Sequence, residues 1–317
     1  MYPYIDMHCD TLLQAYLGRP IYDCAENMLD VRRMVAAGQG AQFFAVFFPP
    51  EGTPEMPSDD EYFAAARNTL LTAADEYGDV LAMAYNAADI ERNLAKKRAS
   101  AILTIEDGRA VRGDMQRLRG FYGAGVRAIG LTWNSSNCFG FPNSRDGAEM
   151  QRGLTEFGRD AIAEMNALGM LIDVSHLSDG GFDDVLALSK KPVVATHSNS
   201  RQLCGHPRNL TDAMVRRLAQ GGGVTGLNFC PEFLTEDGLK QCLVDDLCRH
   251  VLHIINVGGE DCVGLGTDFD GIDGTFEVGH PTEMHLLFEV LEVHGLTPRQ
   301  LEKLAFGNVL RVIRDVM

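Results

Sequence analysis

Six side chains of metal-ligand type stand at comparable places along this 317-residue chain. His8 and Asp10 follow the apolar run 4–7, Glu106 follows 101–105, His176 follows 170–174, His197 follows 192–196, and Asp268 follows 262–266. Singly, each has a plain alternative. A lone His-x-Asp is a short pattern with frequent accidental matches. Glu106 reads as a carboxylate at a strand end, His176 and His197 as hydrogen-bonded structural histidines, and Asp268 as a helix N-cap. Jointly, three imidazoles and three carboxylates at one mouth form a mixed donor set suited to zinc or a similar transition metal. Two metals need a shared carboxylate, at a spacing of ~3.5–4 Å in two-metal hydrolases. His8 and Asp10, two apart on a strand, point to one face, and Cys9 between them points to the other, into the core.

For these side chains to meet, their strands must end on the same side. Apolar, β-rich runs recur at residues 4–7, 41–48, 101–105, 127–132, 170–174, 192–196, 224–229 and 262–266. Near-continuous apolar strands suit a parallel sheet buried on both faces. Helical periodicity separates them: Phe157, Ala161, Met165 and Leu168 share a face, as do Leu243, Leu247, Val251 and Ile254. Eight alternating units predict a closed (β/α)8 TIM-type barrel, with chemistry at the C-terminal strand ends. The whole of 1–317 is expected to be one metal-dependent hydrolase domain with terminal helices over 297–317. Residues 11–40 are long for one connection and predict an extra helix or hairpin. Residues 49–60, with Pro49, Pro50, Pro54 and Pro57, and the Asn/Ser/Gly-rich 134–153 read as loops.

Other chemistries find no support. Gly123-Ala124-Gly125-Val126-Arg127-Ala128 matches a dinucleotide pattern but precedes a strand, so it is a turn. Gly221-Gly222-Gly223 closes a helix before the seventh strand. There is no P-loop lysine, no GxSxG elbow and no stacking stripe of aromatics. Acidic residues outnumber basic ones 44 to 28, for a net charge of −16, which repels nucleic acid and anionic membranes. The eight cysteines form no CxxC pair, and Cys9, Cys138, Cys230 and Cys262 lie in or beside apolar runs, which predicts buried free thiols in a reducing compartment. Met1-Tyr2-Pro3-Tyr4-Ile5-Asp6 lacks the character of a signal peptide, and no apolar run reaches membrane-spanning length. A cytoplasmic location is expected.

The same residues carry a resemblance in order along nearly the whole chain. Ile5-Asp6-Met7-His8-Cys9-Asp10-Thr11, Glu106-Asp107-Gly108, Leu131-Thr132-Trp133-Asn134 and Ile172-Asp173-Val174-Ser175-His176 are followed by Thr196-His197-Ser198 and Arg208-Asn209. Gly264-Leu265-Gly266-Thr267-Asp268-Phe269-Asp270-Gly271 and Gly307-Asn308-Val309-Leu310-Arg311 complete the series. The chain resembles the membrane (renal) dipeptidase family of the amidohydrolase superfamily. The resemblance implies a metallo-dipeptidase with two Zn2+ per chain. His8 and Asp10 would bind the first metal, His176 and His197 the second, and Glu106 both. Asp268 would sit at the first metal as general base and acid, and Arg208 would hold the substrate's C-terminal carboxylate. It also implies a dipeptide substrate with broad side-chain preference, a C-terminal D-residue accepted, cleavage through a metal-bridging hydroxide, and a homodimer.

Two departures stand out. Membrane relatives carry a secretion signal and lipid-anchor tail that this sequence does not show. The Leu-Thr-x-Asn motif of the renal enzyme has a substrate-contacting histidine where this chain has Trp133, whose indole donates one hydrogen bond and carries no charge. No role is assigned to Trp133 from sequence. Related reactions remain as alternatives: deacylation of N-acyl amino acids or opening of a lactone, since one such site serves amides and esters alike. A non-catalytic metal-binding barrel is the third reading, opposed by competent residue types at all six positions.

Overall fold

The computed structural model describes residues 2–54 and 56–317; Met1 and Glu55, the latter within the proline-rich loop, lie outside the described residues. The strands are β1 (Ile5–Asp6), β2 (Ala41–Phe47), β3 (Leu81–Met83), β4 (Ala99–Glu106), β5 (Ala128–Gly130), β6 (Leu171–Asp173), β7 (Val194–Ala195), β8 (Val224–Leu227), β9 (Gln241–Cys242), β10 (Val263–Leu265) and β11 (Thr275–Phe276). Eight of them close on themselves in the order β2-β1-β10-β8-β7-β6-β5-β4, with β2 returning to β4, and all pair in parallel. This is the (β/α)8 barrel, and each of the eight apolar runs supplies one strand. β2 and β4 are its longest members, and every residue of β4 is buried.

Two pieces lie outside the expected pattern. β3 pairs with the start of β4, whose later residues pair with β5, so Leu81-Ala82-Met83 is a strand that its short apolar run does not distinguish from a turn. β9 and β11 form a small parallel ribbon, and Lys240 and Asp273 beside it reach the barrel mouth. The long first connection holds two short helices, Thr11–Tyr16 and Val31–Ala36.

The helices begin and end where their terminal residues can satisfy loose backbone groups. Ser58 and Glu61 form a capping box for Asp59–Glu76, and Thr155 and Thr211 cap Glu156–Leu168 and Asp212–Gln220. Gly169, at φ +78°, stops the helix before β6 in the left-handed conformation that glycine tolerates. Ala161 and Met165 face the core as the helical period requires. Leu243, grouped by the same period with Leu247, Val251 and Ile254, is instead the exposed cap of Val244–Gly258, because the helix starts one residue after it. The terminal run is Pro298–Glu302, a π turn and Asn308–Val316; buried Asn308 donates to the carbonyls of Glu260 and Val263 and ties it to β10. Among the described residues, no helix is long and apolar enough to cross a membrane.

Close backbone approach at the mouth depends on two glycines. A Cβ at Gly226 or Gly266 would run into the Thr196 carbonyl oxygen at the end of β7. Gly266→Ala is therefore expected to destabilise the protein by about 1–3 kcal/mol or more through overpacking. Gly120→Ala, on an exposed helix with open space at its Cβ, is expected to be neutral or to stabilise by ~0.4–1 kcal/mol. Urea unfolding midpoints of the two variants provide the comparison.

Candidate functional site

All six predicted ligand-type residues meet at the C-terminal mouth of the barrel. Glu106, the last residue of β4, is buried and directs its two carboxylate oxygens to different sets of donors. Oε2 lies 3.5 Å from His8 Nε2, which is itself 3.7 Å from Asp10 Oδ2 and 3.8 Å from Asp268 Oδ1. Oε1 lies 2.9 Å from His176 Nε2 and 3.4 Å from His197 Nε2. The His8 and His197 rings stack at 3.9 Å, which joins the two sets. Two groups of potential metal donors thus share one carboxylate.

The backbone that carries these groups is unusual at the same places. His176 and Asp268 adopt φ +65°, and Asp107, directly after Glu106, φ +71°. Such conformations cost non-glycine residues of order 1–3 kcal/mol and persist only where the surroundings enforce them. Asp268 is therefore not a helix N-cap; its strand-end turn swings the carboxylate inward, where Asn228 Nδ2 donates to Oδ2 at 2.9 Å and leaves Oδ1 facing His8.

Two matched braces supply much of that enforcement. Asp6 accepts from Thr267 N (2.9 Å), Thr267 Oγ1 (2.7 Å) and His8 N (3.4 Å), fixing β1 to the residue before Asp268. Asp173 accepts from Thr196 N (2.9 Å), Thr196 Oγ1 (2.6 Å) and Ser175 N (2.9 Å), fixing β6 to the residue before His197. The second brace also sets a tautomer. Thr196 gives its only hydroxyl proton to Asp173, so at 2.7 Å it must accept from His197 Nδ1–H. His197 Nε2 is left as a lone pair. Asn134 Oδ1, 3.3 Å from His176 Nδ1, favours the same tautomer there.

The arrangement fits a cation. His8 Nε2 and Asp10 Oδ1 are buried without a hydrogen-bond partner. His176 Nε2 and His197 Nε2, both lone pairs by this reading, approach to 3.1 Å beside a carboxylate oxygen. Apart from any proton on His8, acceptors converge there without a donor among the described residues, which is costly unless positive charge sits there. Burial pushes His176 and His197 well below the usual imidazole range, with the Arg208 charge adding to it, so both are neutral. Burial also lowers His8, but the Glu106 and Asp10 carboxylates outweigh it and hold its proton well above that range. Desolvation pushes Glu106 up to about 7. Acidic surroundings that retain a proton on His8 would equally retain a metal ion in its place.

Above these groups opens a cavity of about 640 Å³, lined by Asp10, Glu106, His176 and Asp268 and by Leu13, Phe47, Trp133, Arg208, Cys230 and Phe233 among others. Arg208 is no surface residue: it is 5 % exposed, donates from Nη1 to Ser198 Oγ (3.1 Å) and from Nη2 to the His197 carbonyl (3.2 Å), and leaves Nε unpartnered. Cys9 is core, as expected. Cys230 and Cys138 depart from the expectation of burial and are half-buried, because each lies in a loop beyond a strand end; Cys230 forms part of the cavity wall. All eight thiols are free.

Asp6, Asp173, Thr196, Thr267, Asn228 and Phe47 were not singled out from sequence. A signal existed for the braces: each aspartate interrupts an apolar run two or three residues before a ligand-type histidine, and each threonine immediately precedes another ligand-type residue. Thr196→Val, which removes both ends of one relay, is expected to lower zinc affinity about 10–100-fold. Competitive calorimetry on the refolded, metal-free variant measures it, and wild-type affinity would show that the relay does not set the His197 donor.

Residues 1–317 match the family model described as membrane dipeptidase, peptidase family M19. The chain is 31% identical over 325 residues to dipeptidase tcpJ of Claviceps purpurea, covering 99% of this chain and 73% of that one. It superposes with a TM-score of 0.91 on a metallo peptidase from Rhodobacter sphaeroides liganded with a phosphinate mimic of the dipeptide L-Ala-D-Ala, at 29% identity, covering 100% and 99% of the two chains. The dipeptidase AC, a metallo peptidase of family M19, superposes with a TM-score of 0.90 at 31% identity, covering 99% and 98%.

Proposed function

The chain belongs to the membrane dipeptidase family, peptidase family M19, and we propose that its barrel mouth hydrolyses dipeptides of broad side-chain type, a C-terminal D-residue included, with two zinc ions held by the six converging residues. It is a metallo-dipeptidase by family and fold. The observation that carries the finer reading is the split of Glu106 between two sets of donors. His8 and Asp10 would hold one ion, with Asp268 beside it, and His176 and His197 the other. The mixed imidazole and carboxylate set supports zinc. The dipeptide mimic on a structural relative supports the substrate class, and D-alanine in that mimic supports tolerance of a C-terminal D-residue. Eight unpaired cysteines support a reducing, cytoplasmic setting, and the family resemblance supports a homodimer and one catalytic domain over 1–317.

Zinc, when bound, would supply Lewis acidity that makes water a better nucleophile near neutral pH and polarises the scissile carbonyl. The chain's own residues do the rest. Asn228 holds Asp268 Oδ2, so Oδ1 is free to accept the proton of the attacking water and return it to the nitrogen of the leaving amine. Arg208, held by Ser198 and the His197 carbonyl, would present its buried guanidinium one residue beyond the scissile bond of a bound dipeptide. A terminal carboxylate placed there would take the Nε–H that now lacks a partner. Such a fixed charge acts as a ruler: a dipeptide reaches it, and a tripeptide carries its carboxylate past it.

Two measurements test the reading. Asp268→Asn is expected to cut turnover on a dipeptide by ~10²–10⁴ while metal content, measured alongside, stays near two ions per chain. Full turnover in the metal-loaded variant removes Asp268 from proton transfer. Separately, wild type should cleave Leu-Ala about 10–100-fold more efficiently than Leu-Ala-amide. Arg208→Ala with its metal content verified should lose that difference; equal cleavage by wild type, or undiminished discrimination by the variant, would rule out Arg208 as the anchor.

A further inference from the structure

The half-buried indole of Trp133 stands in the wall between two cavities. Trp133 and Pro50 line both the mouth cavity and a neighbouring one of about 470 Å³, whose other side holds Asp107, Arg109, Arg112 and Asn137. The indole packs edge-on against Phe47 at 4.9 Å and 64°, and its centroid lies 6.2 Å from the His176 ring. Phe47 ends β2, and in the barrel order β2 lies four strands from β7, the strand that leads to Arg208. Phe47 therefore ends a strand on the far side of the barrel from the one that leads to Arg208, and Trp133 packs against it.

A dipeptide with its carboxylate at Arg208 and its scissile bond over Glu106 must extend its N-terminal residue away from Arg208. We propose that Phe47 and Trp133 form the pocket for that residue's side chain, and that Trp133 is the partition that limits its depth. The inference rests on the dipeptidase reading above and narrows it: the favoured substrates carry an apolar N-terminal side chain of moderate size, such as leucine. A carboxylate side chain loses hydration against the electron-rich faces of two aromatic rings, and an ammonium group recovers only part of its hydration there as cation–π attraction. Side chains as large as tryptophan meet the indole. Without the indole, the pocket would open into the polar cavity behind it, losing apolar contact and gaining length.

Trp133 is the only tryptophan in the chain, so it reports on its own surroundings. Phosphinate isosteres of Leu-Ala, Gly-Ala and Asp-Ala are titrated into the zinc-loaded enzyme while tryptophan emission is followed. The Leu-Ala isostere should shift the emission to the blue as it excludes water from the indole, and the Gly-Ala isostere should bind with little shift. Zinc-loaded wild type, Trp133→Ala and Trp133→Leu are then compared on Leu-Ala, Asp-Ala, Lys-Ala and Trp-Ala. Wild type should favour Leu-Ala over Asp-Ala and Lys-Ala by about tenfold or more in kcat/KM. Trp133→Ala should lower that ratio severalfold and raise Trp-Ala relative to Leu-Ala. Trp133→Leu keeps an apolar but shorter wall, retains the preference, and makes the same size comparison if the alanine variant does not fold. Equal loss on all four substrates, or an emission unmoved by the bound Leu-Ala isostere, overturns the subsite while leaving the dipeptidase reading intact. Failure of the metal-loaded wild type to cleave any of the four overturns that reading and the subsite with it.

Discussion

Glu106 is a largely buried carboxylate at the foot of the mouth cavity, facing neighbours that are mostly acceptors themselves. That single condition governs the barrel mouth. Taking a carboxylate out of water is costly unless charge or hydrogen bonds compensate, and here His8, His176 and His197 gather round it with Asp10 and Asp268 close by. The partial remedy within the protein is a proton on His8, driven by the carboxylates against the pull of burial. The fuller remedy is divalent charge. A fold that has to keep such donors together before a cation arrives needs stiff supports.

The supports are the paired Asp–Thr braces. Each ties neighbouring barrel strands through three hydrogen bonds to one aspartate, and each ends at a residue adjoining a donor. They flank β8 in the barrel order, one serving His8 and Asp268, the other His176 and His197. The glycines at 226 and 266 belong to the same design, since they let β8 and β10 approach the Thr196 carbonyl. The left-handed turns at Asp107, His176 and Asp268 add strain that these close contacts offset.

Around this rigid centre the mouth is asymmetric. Arg208 places a fixed positive charge after β7, while Phe47 and Trp133 place aromatic surface after β2 and β5. A small peptide has a similar polarity, with a carboxylate at one end and a side chain at the other. Length limits and side-chain selection can then arise from separate residues, neither of which belongs to the six at the centre.

The barrel was legible from the chain because parallel strands buried on both faces read as unbroken apolar runs, and the polar donors stood out just beyond five of the eight runs. Their types determined that a metal-centred hydrolysis was the chemistry to expect, and the ordered motifs pointed to the family. The edge strand at Leu81–Met83, the exposed Leu243 and the half-buried Cys230 escaped, since short runs and loop positions carry no period to read. Only the tertiary structure decided which oxygen of Glu106 faces which histidine, that Thr196 selects the tautomer of His197, that Arg208 is buried, and that Trp133 lines two cavities. The reason is physical: residue type and spacing specify what a side chain can donate and which face of a strand it leaves. Distances between groups a hundred or more residues apart depend on how the closed barrel sets its strands against one another.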